Sequence, residues 1–286
     1  MIGVMAAIGA CGGGTPGRAT DFSFPTFALT DWHTFPADAV PRVIVRLHGL
    51  TPDKPGVFTS TAAQTAFYCN LFTVRAGSLP LDLPAEAHAR WASGLTITYP
   101  AVSAVDAEVA LASQPNPLLS RDCMNVAPVA LTQARLGSAQ FTTDRGRAEM
   151  TAWFFTMSGS TGELPFPAIA PSAFWRGPAG IVSGGGDGYV SEDGMSLSWV
   201  FAGAPVDGRC GTGYTSTVAE TTTAIAIKVQ ATTKTPDDCI FNFFDEALRT
   251  VSIALTAPLG GRVVVDDEGK PGEICKTSQG AAGFPC

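Results

Sequence analysis

The feature that most constrains this chain is a run of segments near its C-terminus whose apolar residues recur at every second position. In "GMSLSWVFAG" Met195, Leu197 and Trp199 alternate with small residues. In "TTAIAIKVQATT" Ile225, Ile227 and Val229 share one face, while Ala226, Lys228 and Gln230 share the other. "TVSIALTAP" repeats the pattern with Val251, Ile253 and Leu255, and "GRVVVDDEGKPGEIC" reads as one more strand leading into a turn at Glu268-Gly269. Successive side chains of a strand point to opposite sides, so period two means strands buried on one face. Gly, Pro, Asp and Thr punctuate them at short intervals, which predicts a small antiparallel sandwich over residues 183–286.

The 286 residues exceed the usual single domain. Residues 40–182 read as a second, mainly β domain, with strands in "PRVIVRLHGL", "LFTVRAG" and "GLTITYP". "AQFTTDRGRAEMTAWFFTMSG" predicts a hairpin turning at Asp144-Arg145-Gly146. "DLPAEAHARWASG" predicts a helix, with Pro84 suited to its first turn and Gly94 to its end. The Pro- and Gly-rich stretch from Pro165 to Gly186 is the predicted boundary. The expected fold is mainly β, built of antiparallel β-sandwich-like modules with one or two short helices. Composition agrees: 31 glycines, 21 prolines and 15 % charged residues suit strands and turns better than long solvated helices.

The chain begins "MIGVMAAIGACGGGTPGRATD". Residues 1–10 have the length of a signal-peptide core and fall short of the about 20 residues that cross a bilayer. Ile8, Gly9, Ala10 and Cys11 resemble the lipobox of bacterial lipoproteins, which implies lipidation of Cys11 and a mature protein beginning there. No basic residue precedes Cys11, so this reading requires a translation start upstream of Met1. The glycines that follow suit a tether, and residues 11–39 are assigned to the lipidated cysteine and its flexible linker. An anchored protein outside the cytoplasm, with unanchored secretion as the alternative, is the resulting localisation.

Cysteine usage points the same way. Setting Cys11 aside leaves six, an even number that reads as three disulfides in an exported chain. Pairing neighbours in sequence gives Cys69–Cys123, Cys210–Cys239 and Cys275–Cys286, each worth about 3 to 4 kcal/mol on a chain-entropy estimate.

Further resemblance lies in "TDRG" (Thr143 to Gly146) followed by the aromatic strand Trp153-Phe154-Phe155, and in "PLGGRVVVD" from Pro258 to Asp266. These segments are similar to actinobacterial secreted lipoproteins, a resemblance that implies a cell-envelope setting and no particular activity.

Chemistry is harder to nominate. The net charge is −7 and no Lys/Arg cluster exists, so the electrostatic attraction to phosphate backbones is missing and nucleic acid is not an expected partner. His48, at the end of an apolar strand, resembles the oxyanion-hole region of α/β-hydrolases. Yet no GxSxG elbow exists, and His33, His48 and His88 all lie in the first third. An active site near His48, or a carboxylate pair, is therefore the alternative to a non-enzymatic role, and no catalytic residue is assigned. The histidines lack HxH or HExxH spacing, and the acidic turns around Asp187, Glu192, Asp193, Asp266, Asp267 and Glu268 lack the alternation of an EF-hand, so no metal or other cofactor is expected. Phe174, Trp175 and Arg176 lie between prolines and form the candidate binding surface for an envelope protein or glycan, with packing over the core as the competing reading.

Overall fold

A computed structural model describes residues 24, 26–47, 57–74, 79–114, 123, 125–175, 186–206, 211–232 and 247–276. The fold is mainly β, with three sheets and short helices, as the alternation predicts.

The first sheet is built on a long hairpin, β4 (Val129–Thr143) and β5 (Gly146–Met157). It turns where the sequence predicts, and Gly146 takes φ +87°, a left-handed value that glycine reaches without steric cost. β1 (Phe72–Val74) joins β4 in parallel. On the far edge of β5, β2 (Ala87–Trp91) pairs with its first half and β6 (Glu163–Pro167) with its second, while β3 (Thr96–Tyr99) extends the sheet beyond β2.

That division gives β5 two cores on opposite faces. Ala148 and Met150 face Ala87, Ala89, Trp91, Tyr99 and Ile169. Trp153, Phe155 and Met157 face the other way, towards α2 (Thr61–Tyr68) and α3 (Ala104–Ala112). Phe154 does not enter a second apolar layer, because the Arg135 guanidinium lies 4.4 Å from its ring centroid and covers it.

The predicted helix in "DLPAEAHARWASG" is instead the β2–β3 hairpin, with Gly94 at φ +82° in its turn. Helix propensity loses here to burial at alternate positions, since Ala87, Ala89 and Trp91 all lie in the core. The helices form elsewhere. Ser60 caps α2 by accepting from the Ala63 N–H, and Ser103 caps α3 by accepting from the Asp106 N–H.

In the C-terminal part, β12 (Val263–Val265), β10 (Ala224–Ala231) and β9 (Tyr214–Glu220) form one sheet. β11 (Ala247–Ala254), β8 (Ser196–Gly203), β7 (Asp187–Val190) and β13 (Glu273–Lys276) form the other. Leu197, Trp199, Ile225, Ile227, Val251, Ile253 and Ile274 fill the core between them. Most pairings are antiparallel, but β12 and β13 each join a neighbour in parallel.

β10 is buried on both faces over its first half, contrary to the expectation of one. Its outer face carries Ala224 and Ala226, whose small side chains leave room for Trp32 and Phe35. These come from a segment that opens with α1 (Thr26–Leu29), and the Trp32 Nε1 donates to the Gly269 carbonyl at 2.8 Å. Residues 26–39 are therefore folded against the second module and are not part of a flexible tether.

The hairpin tip fastens both modules to this segment. Asp144 is buried, pairs with Arg42, donates its N–H to the Val45 carbonyl and accepts at its own carbonyl from the Ile274 N–H. Arg145 donates to the carbonyls of Gly260 and Arg262. Its pKa is pushed down to about 9, first by burial and then by Arg42.

Candidate functional site

Of the residues nominated from sequence, Cys11, His48, Arg176, Cys210, Cys239 and Cys286 lie outside the described residues. Cys69 and Cys123 are bonded as expected, with 5.6 Å between their Cα atoms. Cys275 is also disulfide-bonded. Phe174 packs against the core formed by β2, β3 and the first half of β5. Trp175 packs beside Trp32 and Phe35, at centroid distances of 6.4 and 5.4 Å. Both aromatics are half-buried and pack on the cores, as the competing reading expects.

The acidic turns also serve local structure. Asp193 accepts from the Ser191 hydroxyl and the Met195 N–H, and Asp266 accepts from the N–H groups of Glu268 and Lys270. Among the described residues no three His, Cys, Asp or Glu side chains converge as metal ligands. His33 Nδ1 meets the Thr30 carbonyl, a local contact at the surface.

The structure gathers a different set of residues. On β2 the apolar Ala87, Ala89 and Trp91 turn inward, so His88 and Arg90 stand on the opposite face. On β5 the same alternation turns Ala148 inward and places Arg147 and Glu149 outward. Register then aligns them: Glu149 lies between Arg90 on β2 and Gln140 on β4. The three strands enclose an open trough of about 520 Å³, lined by Arg90, Trp91, Ala92, Gly94, Gln140, Arg147 and Glu149.

Glu149 is held from two sides within this trough. One carboxylate oxygen accepts from Arg90 and the other from the Ser138 hydroxyl at 2.8 Å, and the Arg90 bond foremost holds its pKa below the ordinary carboxylate value. Arg147 stands two residues away on the same face, exposed, and its guanidinium makes no hydrogen bond to a described residue. Farther along the face, His88 Nδ1 meets the Thr98 hydroxyl at 3.0 Å and its Nε2 meets Glu86 at 3.0 Å.

At the margin towards the second module, Glu273 on β13 is paired in register with Asp187 on β7. Its carboxyl pKa is pushed up to about 7, first by burial and then by the Asp187 charge, while Arg147 pulls the other way. Sequence reasoning missed Arg90, Arg147, Glu149 and Glu273. The first three were signalled by "HAR" and "RAE", in which a buried alanine separates two polar side chains, the mark of a strand with one wet face.

Compared with models of known protein families, with curated proteins and with solved structures, the chain shows no match.

Proposed function

We propose that this chain is an exported cell-envelope protein, held at the membrane by a lipid on Cys11, whose folded body binds a partner or ligand outside the cytoplasm. The Cys69–Cys123 disulfide is the observation that carries the reading, because such bridges persist in oxidising compartments and are rare in the reducing cytosol. The bonded Cys275 adds to it, and leaves Cys11 as the odd cysteine if the remaining ones pair. A disulfide-stapled β body with an open polar trough suits recognition of a hydrophilic ligand, and it gives the anchor something to present.

Metabolic labelling with a palmitate analogue tests the anchor. The unaltered chain takes the label and Cys11→Ala does not; equal labelling of both would remove the proposal.

A second reading, an exported hydrolase, is favoured by one observation. Glu273 beside Asp187 keeps its proton near neutrality, the property of a general acid in glycoside cleavage. A glycosidase panel in which activity is lost in Glu273→Gln would establish this reading in place of the first.

A further inference from the structure

We propose that the trough between β2, β4 and β5 binds a small acidic saccharide, with the carboxylate or phosphate held by Arg147 and the hydroxyl groups by Gln140 and Glu149. The inference deepens the binding reading above and rests on it.

Size is the first support. The trough measures about 520 Å³, within the about 300 to 1,000 Å³ usual for small-molecule sites. Charge is the second. Two guanidinium groups, Arg90 and Arg147, line it against the single carboxylate of Glu149. Arg90 and Ser138 already occupy both oxygens of that carboxylate, so the positive charge of Arg147 has no bonded partner within the trough. A guanidinium presents a planar fork of N–H donors that matches a carboxylate or phosphate two bonds at a time. The third support is the character of the walls. Gln140 offers both donors and acceptors, and Glu149 has lone pairs beyond those it uses, a lining suited to a hydroxyl-rich ligand rather than an apolar one.

Titration calorimetry of the whole chain with glucuronate, glucose 6-phosphate and glucose, at mildly acidic pH and low salt, tests the proposal. At least one acid binds about tenfold or more tightly than glucose, and Arg147→Gln loses about tenfold or more of that affinity with its melting temperature unchanged. Arg147→Lys keeps part of it. Which acid binds better identifies the anion as carboxylate or phosphate. Neither acid exceeding glucose, or Arg147→Gln binding as the unaltered chain does, overturns the inference. A chain labelled at Cys11 that shows either result keeps the envelope reading and loses this one, whereas an unlabelled chain that binds the acid does the reverse.

Discussion

Replacing Asp144 with Asn tests the claim that one buried carboxylate fastens three parts of the molecule. Its side chain is 1 % exposed and meets the Arg42 guanidinium through both oxygens, with Arg145 Nε 3.8 Å away. Asparagine keeps the size of the side chain and removes the charge. Arg42 and Arg145, each 18 % exposed, would then face each other across a site with no anion. Breaking a buried pair by removing one partner costs about 3 to 5 kcal/mol, because the remaining charge stays desolvated. With a urea slope of about 3 kcal/mol/M, that is a loss of about 1 to 2 M in the unfolding midpoint. Glu149→Gln is the control, since it breaks a pair whose side chains are 64 % and 38 % exposed and leaves the midpoint nearly unmoved. Adding Arg42→Met to Asp144→Asn returns part of the loss by removing one stranded cation. If Asp144→Asn shifts the midpoint no more than Glu149→Gln does, the burial argument fails.

Two further perturbations follow from the same structure. Cys69→Ala with Cys123→Ala opens a loop spanning a sequence separation of 54 and lowers stability by about 4 kcal/mol, read as a lower melting temperature under non-reducing conditions. Glu273, with its folded pKa raised from an ordinary 4.5 to about 7, holds its proton in the folded state through a range where the unfolded state has lost it. Its contribution is therefore complete below about pH 4.5 and is lost as pH rises to about 7, so the stability of the unaltered chain relative to Glu273→Gln falls across that interval in urea titrations.

What could be read in advance divides along physical lines. The hairpin at Asp144-Arg145-Gly146 and the strands around Trp199, Ile227 and Ile253 were legible because alternation and turn chemistry are local properties. The α3 start was missed although it carries a local signal, Ser103 followed three residues later by Asp106, an acidic variant of the capping box. "DLPAEAHARWASG" misled because Ala, Glu and Arg favour helix, whereas the pairing that makes it a strand comes from Met150, far along the chain. The trough failed for the same reason. Arg90 and Glu149 are 59 positions apart, and only the register of β2 on β5 places them side by side.

The stretch "PRVIVRLHGL" bears on whether the two modules are separable. Its described residues, 41–47, make isolated bridges, Ile44 to Phe174 and Arg46 to Thr143, and their alternation still sorts side chains by face. Ile44 enters the core of the first module, while Val45 and Leu47 enter the core that covers β10 and β12 of the second. A strand feeding two cores cannot belong to either module alone. Ala37 reinforces the connection, since its carbonyl approaches Gly261 so closely that an added Cβ there would meet it at 1.8 Å. Cutting the chain after residue 182 would leave Val45 and Leu47 exposed on one fragment and Ala224, Ala226, Val263 and Val265 exposed on the other. Expressed separately, residues 26–182 and 183–286 should each aggregate or bind a dye for exposed apolar surface, and mixing them should suppress that binding. Two fragments that each melt cooperatively, and ignore one another when mixed, would show that the shared strand is incidental to folding.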